Sequence, residues 1–221
     1  MPTVLLAGGS GLIGSALLQC LMRNHDVQVL LPLRNPQAFQ QRIAHESPEF
    51  AASGRVTLLT YDQLLHGHHA VDYFFCALGT TRKQAGKAGL FAVDYQLVVD
   101  CAGWALKHGA RCAAVVSALG ANARSAFFYN RVKGQMEQAL EALAFEHLHV
   151  WQPSLLLGER AQPRLLETCS GYLLSSPLWG NLQAMEGARI AEAMVAAAFS
   201  ETKENPSVVR YRVADVKRLT A

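Results

Sequence analysis

Short runs of apolar and β-branched residues alternate along the chain with longer stretches whose apolar positions recur every three to four residues. The runs are "TVLLA" (3–7), "VQVLLPL" (27–33), "RVTLLT" (55–60), "VDYFFCAL" (71–78), "RCAAVVSAL" (111–119) and "LHVWQP" (148–153). Each gives way to glycine, proline or polar residues and then to a segment long enough for a helix, so the runs read as strands. Helices are predicted over 12–23, 36–46, 86–108 and 126–144. In the last, Phe127, Val132, Met136, Leu140 and Leu143 hold the spacing of an amphipathic face, and "ANARS" supplies Asn and Ser as candidate caps. Continuous apolar strands separated by helices imply a parallel sheet covered on both faces.

After Pro153 the alternation stops. Residues 154–187 are irregular, "ARIAEAMVAAAFSE" reads as a helix and "SVVRYRV" as a late strand. The predicted fold is α/β, a doubly wound parallel sheet of the Rossmann type with helices on both faces. The expected organisation is a single dinucleotide-binding domain over 1–221, with core sheet and helices in 1–153 and a small substrate-side elaboration in 154–221.

A length of 221 residues with 51% hydrophobic composition is ample for a large core. The net charge of +3 and sequence pI of about 8.6, without a basic run of five, argue against a nucleic acid partner and leave small anions open. The five cysteines form no C-x-x-C pair and mostly sit in apolar runs, which suits a reducing compartment; a cytoplasmic location is expected. The apolar stretch from Thr3 to Met22 lacks a basic leader and is broken by glycines and polar residues, so neither a signal peptide nor a membrane span is expected.

Chemistry first shows in "AGGSGLIG" (7–14), between the first strand and first helix. Gly9, Gly11 and Gly14 spell G-x-G-x-x-G, whereas Gly8, Gly11 and Gly14 spell G-x-x-G-x-x-G. Either register suits a tight turn that lets a pyrophosphate reach a helix N-terminus. No Gly-Lys-Ser/Thr follows, which excludes a Walker loop. Enzymes that prefer NAD place an acid about twenty residues past the loop; here that place holds Arg34, and no Asp or Glu occurs between Asp26 and Glu46. A guanidinium suits a 2′-phosphate, so NADP(H) is favoured over NAD(H). Asp62 could accept from an adenine amine or cap a helix over 63–66. "CALGTT" (76–81) places Ala77, Leu78, Gly79 and Thr80 where a ligand crosses the strand ends.

Tyr129 and Lys133 stand four apart on a helix and share a face. A neighbouring ammonium favours a phenolate, which makes the pair a plausible proton donor to a carbonyl that receives hydride. Ser117, twelve residues upstream at a strand end, could bind and orient the same oxygen. Tyr129 beside Lys133 would otherwise be an ordinary helix pair; the company of a dinucleotide loop changes that reading. His66, His68 and His69 lack matching ligands on a rigid element, so no metal is expected.

These residues resemble the short-chain dehydrogenase/reductases. The resemblance covers 3 to about 160 through "GGSGLIG", "CALGTTRKQAG", "VVSALGANARSAFFYNRVKG" and "QPSLLLGER". It is closest to the atypical branch with G-x-x-G-x-x-G, in the group of Tat-interacting oxidoreductase-like proteins and their bacterial relatives. It implies that Gly8, Gly11 and Gly14 form the pyrophosphate turn, adjoined by Ser10, Leu12 and Ile13. It also implies that Ser117 positions substrate, that Tyr129 is the acid-base residue, and that Lys133 tunes Tyr129 and bonds the nicotinamide ribose. Pro153, Ser154 and Leu155 would lie along the nicotinamide. Two departures stand out: Asp94 is near where many relatives carry Asn, and Gln152 replaces the Arg common before the Pro.

About 70 residues follow the sixth strand, too few for the substrate lobe of a sugar-nucleotide epimerase. A small carbonyl or alcohol is the expected substrate, walled by Tyr172, Leu173, Leu174, Leu178 and Trp179 unless these only pack the C-terminal helix. The alternative is a dinucleotide-binding redox sensor with little turnover. Helices 86–108 and 126–144 could pair in a homodimer or simply cover the sheet.

Overall fold

A computed structural model describes residues 1–24, 26–46, 51–153, 156–157, 185–200 and 207–220. Strands β1 (Thr3–Ala7), β2 (Gln28–Leu33), β3 (Val56–Thr60), β4 (Tyr73–Cys76), β5 (Cys112–Val116) and β6 (His147–Trp151) follow the predicted runs. All pair in parallel in the order β3-β2-β1-β4-β5-β6, and the late strand β9 (Ser207–Tyr211) adds to β6 with His147 opposite Ser207. The doubly wound sheet is therefore seven strands wide.

Helices α1 (Leu12–Asn24), α2 (Pro36–Glu46) and α3 (Tyr61–His66) follow the first three strands. The predicted helix 86–108 begins earlier, as α4 (Arg82–Phe91), and runs through one π-helical stretch (Ala92–Leu97) into α5 (Val98–Lys107). Gly86, at φ 67°, kinks it. Helix α6 (Phe128–Ala142) lies between β5 and β6, and α7 (Gly187–Ser200) and α8 (Val213–Leu219) flank β9. Within the stretch read as irregular, β7 (Leu156–Leu157) pairs with β8 (Met185–Glu186). Among the described residues no helix is long and apolar enough to cross a membrane.

The two-residue alternation of a strand sends successive side chains to opposite layers. Val4 and Leu6 of β1 join Leu17 and Leu21 of α1 and Ile190 and Met194 of α7 on one face. Leu5 and Ala7 join Val98 and Ala102 of α5 and Met136 and Leu140 of α6 on the other. Because both faces are covered, the carboxyl edge of the sheet is where backbone groups remain for other partners. The switch in winding direction between β1 and β4 opens a crevice there.

Candidate active site

The first wall of the crevice is the turn after β1. Gly8 has φ 86°, and a Cβ there would come within 2.7 Å of the Ala77 and Leu78 backbone, so the turn and the loop after β4 lie against each other. A Cβ on Gly14 would collide with the Gly8 carbonyl, and one on Gly9 with the Leu31 side chain. Gly11 differs. Its N–H donates to Gly8 O at 3.0 Å, yet its own Cβ would meet nothing closer than that carbonyl at 3.4 Å. The fold thus requires glycine at 8 and 14, whereas at exposed Gly11, at the start of α1, a Cβ would make only van der Waals contact with the Gly8 and Ala77 carbonyls; the first turn of α1 carries no acid. Such a cradle, with free helix N–H groups and bare glycine backbone, fits a pyrophosphate. Ser10 is exposed and Leu12 half-buried beside it, whereas the Ile13 side chain enters the core.

Arg34 directly follows β2 and is exposed. Between it and the glycine turn stands Tyr61, which sequence reasoning passed over. Burial drives the Tyr61 phenol far above its ordinary range, the thiols of Cys101 and Cys76 add to this, and the Gly8 backbone and Arg34 pull weakly the other way. Tyr61 is thus a neutral hydrogen-bonding group on this wall. Asp62 is exposed and meets His66 Nδ1 at 3.3 Å. The expectation that Asp62 caps α3 is corrected: Thr60 is the cap, its Oγ1 accepting from Gln63 N at 3.1 Å while Gln63 Oε1 accepts from Thr60 N at 2.8 Å. The helix starts two residues earlier than expected, which places Asp62 inside its first turn.

The second wall is the loop after β4. Ala77 N donates to Ala7 O at 2.9 Å, and Thr80 N donates to Asp94 Oδ2 at 2.8 Å, across exposed Gly79. Asp94 sits in the π-helical stretch and is wholly buried. Its other oxygen lies 3.0 Å from Lys133 Nζ, and the Lys133 side chain is 2% exposed. The ammonium also reaches the carbonyls of Val116 at 3.4 Å and Leu78 at 3.5 Å, bridging the ends of β5 and β4. Burial alone would lower the Lys133 pKa; attraction to Tyr129 and Asp94, with the Asp94 hydrogen bond, outweighs it and holds the ammonium above its ordinary value. Asp where many relatives carry Asn therefore acts here as a buried counter-ion.

Tyr129 stands one turn before Lys133 and is 40% exposed, whereas the Lys133 side chain is buried. Ser117 directly follows β5 and is 3% exposed. Its hydroxyl donates to Glu137, a residue that sequence reasoning missed although Tyr129, Lys133 and Glu137 fall at i, i+4 and i+8 on one helix face. Glu137 also accepts from Gln152 Nε2 at 3.0 and 3.2 Å and lies 3.5 Å from Arg210 Nε of β9. Arg210 thus supplies the guanidinium that Gln152 does not. Gly134 lets the loop after Ser117 cross α6, since a Cβ there would overlap Asn122 and Ala123. The candidate caps for α6 act only in part: Phe127 occupies the cap position, and Ser125 Oγ accepts from Phe127 N at 3.2 Å.

Pro153 is buried, and its carbonyl accepts from Leu119 N at 3.0 Å. Ser154, Leu155, Tyr172, Leu173, Leu174, Leu178 and Trp179 lie outside the described residues. Among the described residues no group of three His, Cys, Asp or Glu side chains could hold a metal ion.

A protein of Scheffersomyces stipitis named "Protein FMP52-1, mitochondrial" is 38% identical over 160 residues, covering 68% of this chain and 71% of that protein. Rat "Protein HTATIP2" is 34% identical over 181 residues, covering 81% of this chain and 71% of that protein. The chain belongs to the FMP52 and HTATIP2 family of atypical short-chain dehydrogenase/reductases. No family model matches. Among solved structures, UDP-glucuronic acid 4-epimerase from Bacillus cereus, in complex with NAD, is similar with TM-score 0.66 and 14% identity over 95% of this chain and 77% of that one. The terminal R domain of the myxalamid PKS-NRPS pathway is similar with TM-score 0.66 and 13% identity, over 99% and 69%. Both likenesses show the Rossmann-type fold that this family member shares. The expected cytoplasmic location is overturned: several FMP52 relatives are named mitochondrial.

Proposed function

We propose that this family member is a single-domain NADP(H)-dependent oxidoreductase acting on a small carbonyl or alcohol. The observation that supports the reading is Tyr129 one helical turn before the buried Lys133 ammonium, which reaches the ends of β4 and β5, in a fold whose first strand ends in a glycine turn with Gly11 exposed. In the direction of reduction, a bound NADPH would supply the hydride for the carbonyl carbon. Tyr129 gives its phenolic proton to the carbonyl oxygen, and the Lys133 charge stabilises the phenolate left behind. Lys133, locked by Asp94, Val116 O and Leu78 O, holds that charge in one place, and its longer contacts to the two carbonyls are the ones a ribose hydroxyl would share. Gly8, Ser10, Gly11 and the first turn of α1 would receive the pyrophosphate. Arg34 would bind the 2′-phosphate, Tyr61 and Asp62 would stand on the adenosine side, and Ala77 to Thr80 and Pro153 would border the cofactor.

NADPH and NADH titrations followed by tryptophan fluorescence test the reading on wild type and Arg34→Ala. NADPH binds the wild type more tightly and loses that advantage in the variant; equal wild-type affinities refute the 2′-phosphate assignment. Tyr129→Phe keeps NADPH affinity and loses carbonyl reduction, and unchanged turnover removes Tyr129 from the chemistry.

A further inference from the structure

The groove between α6 and α4 with its π-helical continuation shares no lining residue with the crevice and carries chemistry of its own. Lys87 and Phe91 stand four apart on α4, and the Phe91 ring stacks on Tyr95 of the π-helical stretch, centroids 4.7 Å apart at 24°. Across from them Phe128, Arg131, Gln135 and Gln138 recur at three to four residues along α6. Phe91, Tyr95, Gln135, Gln138 and Ala139 line an open cavity of about 360 Å³, a size that small-molecule sites have.

At one end of this groove two cations from different helices converge on a single ring. Lys87 Nζ lies 5.9 Å and Arg131 Cζ 5.6 Å from the centroid of Phe128. Arg131 is anchored: its Nη1 donates to Ser125 O at 2.7 Å and to Ala126 O at 3.4 Å, which leaves Nε and Nη2 for another acceptor. No acid balances the pair. Residues 79–93 and 117–136 hold six Lys and Arg and not one Asp or Glu, although the whole chain is only +3, so the remainder is net negative. Lys133 is paired with Asp94, whereas Lys87 and Arg131 meet no carboxylate among the described residues. Like charges on two packed helices repel, and an anion between the helices relieves that repulsion.

We infer that this groove is a second binding site, for an aromatic anion: a flat apolar body against the Phe91–Tyr95 pair and the Gln135 and Gln138 amides, with a phosphate or carboxylate at the Lys87 and Arg131 end. The inference goes beyond the oxidoreductase reading and does not depend on it. A guanidinium edge takes either head group through two parallel hydrogen bonds, and Lys87 adds a point charge from the other helix. A second copy of the chain suits the groove less well, since those two stretches would bring it more cations and no acid.

Calorimetric titration with phenyl phosphate tests the site, with and without NADPH. Phenyl phosphate binds wild type at least tenfold more tightly than inorganic phosphate or benzyl alcohol, and saturating NADPH leaves that binding in place. Benzoate, titrated in parallel, shows which head group the site prefers, and binding of neither probe overturns the inference. Arg131→Gln and Lys87→Gln each weaken the preferred probe about tenfold, the scale of a hydrogen bond to a charged group. Phe91→Ala weakens phenyl phosphate and leaves inorganic phosphate unchanged. Lys87 and Phe91 are exposed and Arg131 half-buried, so the variants keep the fold, which far-UV circular dichroism checks. Inorganic phosphate that binds as tightly as phenyl phosphate reduces the groove to a charged patch and overturns the inference, as does displacement by NADPH or insensitivity to both charge variants. A dimer in sedimentation velocity that Phe91→Glu dissolves gives the groove to a second copy and overturns it too.

Discussion

Replacing Asp94 by Ala removes the counter-ion of an ammonium that water does not reach. Lys133 is 2% exposed and Asp94 0%, and after the substitution the nearest acceptors for Nζ are two carbonyls at 3.4 and 3.5 Å. Thr80 N, now bonded at 2.8 Å, loses its acceptor as well. Breaking a buried pair by removing one partner costs about 3–5 kcal/mol, chiefly because the remaining charge stays desolvated. For a chain of this size that corresponds to a fall in Tm of roughly 6–20 °C. Asp94→Asn keeps an acceptor for Thr80 and loses only the charge, so it falls between wild type and Asp94→Ala. Urea unfolding at constant m-value measures the differences. The pH dependence carries a second signature. The folded-state pKa of Lys133 lies above its ordinary value, so the pair's contribution is full below the ordinary lysine range and disappears as pH rises through the folded value. In Asp94→Ala burial acts without the counter-ion and lowers the Lys133 pKa, so the gap between wild type and the variant is widest at neutral pH and narrows as pH rises. A loss below about 1 kcal/mol at pH 7 would refute the claim that Asp94 sustains the buried charge.

Gly11→Ala and Gly14→Ala separate ligand approach from folding. The first, with its nearest neighbour at 3.4 Å, melts within a few degrees of wild type but loses NADPH affinity, whereas the second meets the Gly8 carbonyl and is destabilised outright. Loss of stability in Gly11→Ala equal to that in Gly14→Ala would contradict the room for a Cβ at Gly11. Cys76 is fully buried and desolvation pushes its thiol up to about 11, with Cys101 shifted in the same direction. Both resist iodoacetamide in the native protein at pH 8 and react once urea unfolds it, as peptide mass spectrometry reports. Rapid native labelling of Cys76 would show that the crevice floor opens.

What the sequence discloses and what it hides divide along physical lines. The sheet was legible because its five inner strands, β1, β2, β4, β5 and β6, are buried on both faces and so are continuously apolar. Tyr129 and Lys133 stood out as candidates because a four-residue interval puts two side chains on one helix face. Asp94 was visible as a departure, but its role was not, because only the fold brings a residue from the π-helical stretch to 3.0 Å from Lys133. Glu137 shared the interval of Tyr129 and Lys133 and still escaped notice, since an acid on a helix ordinarily reads as a solvated face. Arg210 could not have been found by any local pattern. It sits 73 residues beyond Glu137 on the last strand of the sheet, and its partnership exists only because β9 adds to β6. The exchange of guanidinium for amide at Gln152 thus becomes intelligible through topology: the cation has moved to the neighbouring strand, and the carboxylate that fixes Ser117 remains enclosed by donors.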